Sequence, residues 1–336
     1  MKPFHSRLAR YALLVFFVST QALAWGPEGH QTVGAIADHL LTGTPAATHV
    51  STLLGGLSLQ QASVWADCAK GVDPSKNYAY TAAGKYPECK LFETPAGEAA
   101  MSDFVRRNDT NCQPKPGEES CHKQYHYTDV AIQHNRYQPG LIGTRDDDLV
   151  QAVIATTQVL QGGTAPAPFN ITDQREALLL LTHYVGDLHQ PLHVGAIYLD
   201  NQGKRVNPDT GTFDPQTDTQ GGNKIVLKGT NQKLHAVWDE IPASLTASHV
   251  NAAWLKQVRS IPATEGQILE WPVLWAGDTL SGAQNAFTGL KFSNLQGGHW
   301  TVTLPANYNT KKQRLQQAEL TKAGAHLAEL LNALWP

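Results

Sequence analysis

The sequence is sparing with charge. Of its 336 residues, 16% are Asp, Glu, Lys or Arg, and the formal net charge is −3. That balance lacks the basic excess through which simple nucleic-acid binders hold phosphates. A hydrophobic fraction of 41% excludes a disordered tail or a collagen-like repeat. Beyond residue 24 no apolar run is long enough to form a transmembrane helix. There is no internal repeat, no interdomain linker and no Cys-x-x-Cys pair of the kind that marks a zinc site. These absences leave one mainly helical, soluble domain as the expectation.

The first 24 residues have a separate character. Lys2, Arg7 and Arg10 precede the apolar run from Tyr11 to Val18, and Ala22-Leu23-Ala24 fits an A-x-A cleavage site. This is the pattern of a secretory signal peptide, with residues 25–336 as the mature domain. A secreted or periplasmic location follows. Removing three basic and no acidic groups takes the charge from −3 to −6. The four cysteines, Cys68, Cys89, Cys112 and Cys121, all lie in the mature part. An even count in an exported chain predicts two disulfides, with all three pairings open, stapling a loop-rich stretch over 68–122.

Apolar periodicity predicts helices over 26–43, 146–161, from Thr172 onward, and over 312–334. The 146–161 helix is expected to have an acidic first turn, and Asp173 and Glu176 have capping-box spacing. Residues 57–66 form a short apolar segment, 200–222 a polar loop, 224–227 a short strand, and the region from the 280s to 305 a turn-rich hairpin.

Histidine is concentrated where chemistry would need it. His183-Tyr-Val-Gly-Asp187-Leu-His189-Gln-Pro-Leu-His193 holds three histidines and an aspartate. His183 and Asp187, four apart, share a helix face, and His235-Ala-Val-Trp-Asp239 repeats that spacing. Imidazole and carboxylate are zinc ligands. Two such pairs together with His193 point to metal sites built between helices. His30, Asp67 and His126 are further candidates.

The order of Trp25-Gly-Pro-Glu-Gly-His30, Ala62-Ser-Val-Trp-Ala-Asp67, His126-Tyr-Thr-Asp129, the His183–His193 block, Gly221-Gly-Asn223 and His235-Ala-Val-Trp-Asp239 resembles the nuclease I family. These are zinc-dependent, single-strand-preferring nucleases of fungi, plants and bacteria, related in fold to the zinc phospholipases C. The resemblance runs from Trp25 to the last helix. It implies a mainly α domain of the phospholipase C/nuclease I type that holds three Zn²⁺. Asp67, His126, His183 and Asp187 would ligate one ion. Trp25, through its freed α-amino nitrogen and its carbonyl, would ligate a second with His30 and a bridging Asp187. His193, His235 and Asp239 would ligate the third.

The implied reaction is hydrolysis of RNA and single-stranded DNA to 5′-phosphorylated products, with 3′-nucleotidase activity, by a monomer. Asp67, Lys70 and Asp187 are the expected catalytic residues, with Lys70 beside the scissile phosphate. Tyr127 and Asp129 resemble a base pocket, and Asn223 is a further substrate contact. His189 is read as a support for the ligands. A lipid phosphodiesterase with the same metal cluster and a non-catalytic zinc-sequestering protein are the competing readings.

Overall fold

The computed structural model describes residues 25–115 and 118–336; residues 1–24, on which the expected signal peptide falls, lie outside the described residues. The fold is mainly helical. Helices α1 (Pro27–Leu41), α2 (Pro45–Leu54), α3 (Leu59–Ala62) and α4 (Trp65–Ala69) lead into the disulfide region. There follow α5 (Pro95–Arg107), α6 (Cys121–Gln124), α7 (Leu149–Leu160), α8 (Gln174–Leu188) and α9 (Pro191–Val194). The chain ends with α10 (Leu234–Asp239), α11 (Ala252–Val258), α12 (Trp271–Phe287) and α13 (Tyr308–Leu334). No described helix is long and apolar enough to cross a membrane.

The buried helix α8 is the centre of the assembly. Every residue from Ala177 to Leu188 is buried, and α1, α4, α7, α12 and α13 pack on it. Its start follows from the sequence: the Asp173 side chain accepts a hydrogen bond from Glu176 N at 2.8 Å. Such caps contribute about 1 kcal/mol. The box is not fully closed, because Glu176 Oε1 accepts from Thr172 N at 3.3 Å rather than from the cap residue. An all-buried helix carrying His183 and Asp187 places both groups where water cannot pair them.

Strands are short. Ile225–Leu227 runs parallel to Trp300–Thr303, which pairs antiparallel with Lys291–Phe292. The expected strand and hairpin are therefore present, but the 280s begin inside α12, which covers 271–287. The acidic run before α7 also differs from expectation. Asp148 is the cap, accepting from Val150 N and Gln151 N, so the acids precede the helix instead of forming its first turn.

The disulfides are Cys68–Cys89 and Cys112–Cys121. Each restricts the unfolded chain enough to contribute roughly 3 kcal/mol. The region they staple is less irregular than expected, since it contains the 13-residue α5. Asn108, in a glycosylation sequon, is fully buried, with its Nδ2 donating to Phe104 O (3.0 Å) and Asn170 O (2.9 Å).

Candidate metal centre

The candidate ligands come from five elements. His30 is on α1, Asp67 on α4, His183 and Asp187 on α8, His193 on α9, and His235 and Asp239 on α10; His126 follows α6. The segments after His126 and His193 pair as parallel strands, Val130 with Gly195 and Ala131 with Ala196. That pairing, with Thr128 N donating to His193 O at 2.7 Å, holds the two histidine-bearing turns together.

Their side chains converge in three groups of mutually facing ligand atoms. These are His30, His183 and Asp187; Asp67, His126 and His183; and His193, His235 and Asp239. Asp187 lies where the first two meet. Its Oδ1 is 3.3 Å from His30 Nε2, and its Oδ2 is 2.9 Å from His126 Nδ1 and 3.2 Å from His183 Nε2. Asp67 Oδ1 is 3.6 Å from His183 Nε2. Asp239 stands 3.9 Å from His193 Nε2 and 3.8 Å from His235 Nε2. His30 and His183 stack with ring centres 3.7 Å apart. Gly186 permits that approach, because a Cβ there would lie 2.7 Å from His30 Nδ1.

The hydrogen bonds behind the rings fix which nitrogens hold lone pairs. A backbone carbonyl only accepts, so Nδ1 must donate wherever it meets one. His183 Nδ1 donates to Ser63 O (2.6 Å), His193 Nδ1 to His126 O (2.6 Å) and His235 Nδ1 to Gly221 O (2.9 Å). Each neutral ring therefore aims a bare Nε2 inward. Orientation of a ligand through its other ring nitrogen is the usual second layer of a metal site. Gly221, at φ +56°, sits so close to Leu192 O that a Cβ would approach it to 2.4 Å, so the His235 support requires glycine.

Burial drives the protonation states toward ligand form. Burial, reinforced by His183, lowers His30 to about 4; burial and then Lys70 lower His126 to about 3; burial and then His193 lower His235 to about 3. Burial also lowers His193, whereas at His183 the Asp187 and Asp67 charges outweigh it and raise the ring. For Asp187, burial is outweighed by the His183 and His193 charges, which hold the carboxyl well below its ordinary range. Asp67 is held low in the same way against burial, first by Lys70. Asp239 has too little compensation: burial pushes it well above the usual range, offset mainly by Gln190.

These residues fit a set of divalent cations. His30 Nε2, Asp187 Oδ1 and Asp239 Oδ2 are buried without a hydrogen-bond partner among the described residues. An isolated buried carboxylate is costly, and a coordinated cation removes that cost.

The remaining expected residues are placed less uniformly. Lys70 is nearly buried, with Nζ 2.7 Å from Asp67 Oδ1. Asp129 is 9% exposed; burial, then the nearby Asp218 charge, raises its carboxyl well above the ordinary range. Tyr127 is half-buried. Asn223 has a buried Oδ1 without a partner among the described residues, two positions after Gly221. Trp25 is fully buried, and Gly26 N donates to Asp239 O at 2.9 Å, which ties this end of the chain to α10. His189 does not face the ligand groups. Its Nδ1 donates to Val185 O, and its Nε2 meets His326 Nδ1 of α13 at 2.8 Å.

Gln190 is a positioning residue that the sequence reading missed. Its Nε2 donates to Asp239 Oδ1 at 2.7 Å and its Oε1 accepts from Leu192 N. Its place inside the histidine block was the available signal.

A helical domain with histidines and carboxylates gathered in three buried groups defines a class of metal-dependent proteins. Comparison narrows the class: the S1/P1 Nuclease family is matched over residues 25–336, and the chain belongs to that family. It is 27% identical to Endonuclease 1 of Arabidopsis thaliana over 68% of this chain and 56% of that protein. With Endonuclease 2 of Arabidopsis thaliana the identity is 25%, over 99% of this chain and 98% of the relative. Nuclease P1 of Penicillium citrinum is 26% identical, over 67% and 61% respectively. The chain thus spans little more than half of some relatives and nearly the whole of another.

Proposed function

We propose that this protein is an exported, monomeric nuclease that uses three Zn²⁺ to hydrolyse RNA and single-stranded DNA to 5′-phosphorylated products, with 3′-nucleotidase activity. The observation that carries this reading is the position of Asp187, whose two oxygens face ligand atoms of different groups, within a chain of the S1/P1 nuclease family. Asp67, His126, His183 and Asp187 would hold one ion, and His193, His235 and Asp239 another. The third would be held by His30, Asp187 and Trp25 through its α-amino nitrogen and carbonyl. Zn²⁺ bound there supplies Lewis acidity, lowering the pKa of water toward neutrality and polarising phosphoryl oxygens.

The protein's own groups complete the site. The Lys70 ammonium, held by Asp67 at 2.7 Å, offers positive charge to the phosphate. It does so as a point charge without the two-pronged geometry of arginine. Tyr127 supplies a ring on which any base can stack, worth roughly 1–3 kcal/mol. Asp129, raised by burial toward its protonated form, can both donate to and accept from a base edge. A base must leave its duplex to reach these groups, which favours single strands. Asn223 Oδ1 is free to accept a further substrate hydrogen.

The test is metal analysis together with hydrolysis of RNA, single-stranded DNA and phosphatidylcholine, with and without chelator. Three zincs per chain and chelator-sensitive nuclease activity are expected. Activity on the lipid alone would make it a phospholipase, and metal without turnover would make it a sequestering protein. Residues added ahead of Trp25 in the trimmed chain should lower both metal content and activity. Full activity with them would remove the α-amino group from the ligand set.

A further inference from the structure

We propose that the cavity between Lys70 and the Cys68–Cys89 bridge is an anion groove that seats the polynucleotide backbone flanking the scissile linkage. The proposal rests on the nuclease reading and adds a binding site to it. The cavity measures about 290 Å³ and is continuous with the candidate metal centre, since Asp67 and Lys70 form one wall. Lys85, Glu88 and Cys89 of the disulfide region and Lys123 of α6 also line it.

The charges facing it are not equivalent. Among the described residues Lys85 and Lys123 form no ion pair, whereas the neighbouring Lys76 and Lys90 are paired with Asp73 and Glu93. Lys85 Nζ is held over the Tyr86 ring, 5.0 Å from its centre, which fixes a cation without neutralising it. Of the acids in the lining, Asp67 is committed to Lys70 and the ligand cluster. Asp73 accepts from Ser75 N and Oγ and pairs with Lys76. That leaves Glu88 as the lining acid opposite the two free ammonium groups, with Glu119, outside the lining, also acting on Lys70. Three lysines along a groove that begins at the reacting phosphate suit a chain of phosphates, because a polynucleotide presents one negative charge per linkage. The disulfide between Cys68 and Cys89 joins α4, which carries Asp67, to the turn beyond Lys85. The bridge thus has a reason beyond stability, as it sets the groove wall against the metal centre.

The experiment compares the zinc-loaded full chain with Lys85→Gln/Lys123→Gln. Binding of a fluorescent single-stranded oligonucleotide with phosphorothioate linkages is followed by anisotropy at several salt concentrations. The double variant should bind more weakly, and the slope of log affinity against log salt should shrink by about 1.4, or about 0.7 for each lost phosphate contact. KM for a long single-stranded substrate should rise, while a dinucleotide, whose single linkage leaves no flanking phosphate for either lysine, keeps its KM and kcat. Lys85→Arg/Lys123→Arg should restore the slope. An unchanged slope, or equal weakening for dinucleotide and oligonucleotide, overturns the groove. If the unaltered protein hydrolyses no phosphodiester, the nuclease reading falls, and the salt slope still decides whether the cavity binds a polyanion.

Discussion

Nε2 of His193 and Nε2 of His235 face each other at 3.1 Å, and in the neutral rings neither carries a hydrogen. Both Nδ1 hydrogens are already committed to the carbonyls of His126 and Gly221. Two opposed lone pairs at this distance repel unless a cation stands between the rings. Zinc should therefore stabilise the fold. Calorimetry of the chelator-stripped protein is expected to give a higher Tm when zinc is restored, with about 4 kcal/mol gained at free metal 1,000-fold above Kd. A Tm indifferent to zinc would mean that the rings are reconciled by a proton instead.

Asp187 serves two ligand groups at once, with Oδ1 toward His30 and Oδ2 toward His126 and His183. Asp187→Asn keeps the shape and removes the charge. With three ions held as proposed, it should cost two of them, whereas His235→Ala should cost one. Elemental analysis of the two purified variants separates them, and equal losses would contradict the bridging role.

Lys70 is close enough to Asp67 to share its charge, yet its aliphatic stem and ammonium also wall the cavity beside the cluster. Lys70→Ala should lower kcat roughly 10²-fold, the scale seen when one preorganised charge-stabilising donor is lost. Metal content should stay the same, and Lys70→Arg should keep part of the rate. Loss of zinc from the alanine variant would reassign Lys70 to holding Asp67 in place.

The parts of this architecture legible in the sequence are the local ones. His183 with Asp187 and His235 with Asp239 are four residues apart, and helix geometry alone puts each pair on one face. The start of α8 could likewise be read from Asp173 and Glu176. The supports behind the rings could not: Ser63 O and His183 are 120 residues apart in sequence, and no local rule connects them. Helix α12 was obscured by Gly277, Gly282 and Asn285, which lower helix propensity. A Cβ at Gly282 would make only ordinary contacts, 3.4 Å to Glu319 Oε1 and 3.6 Å to Pro191, so packing against α9 and α13 does not by itself require glycine there. Helix α5 did carry its signals, Thr94 as cap and Pro95 in the first turn, but they lay within a cysteine-, glycine- and proline-rich stretch that read as loop.

His122 offers a test of burial without metal chemistry. The residue is 1% exposed, and neither ring nitrogen has a hydrogen-bond partner among the described residues. Burial first, then the Lys123 charge, lowers its pKa to about 3, against about 6.5 in an unfolded chain. Between those values the unfolded chain binds a proton that the folded one refuses. This ring's contribution is thus complete above pH 6.5 and is lost as pH falls toward 3, at about 1.4 kcal/mol per pH unit. His122→Leu removes that dependence and leaves no new polar atom unpaired. Its stability at pH 7.5 should equal or exceed that of the unaltered protein. In urea unfolding at pH 7.5, 5.5 and 4.5, its advantage should widen with acidity. Parallel pH profiles would show that the buried ring finds a proton acceptor, such as Asp109, whose Oδ1 is also unpartnered among the described residues.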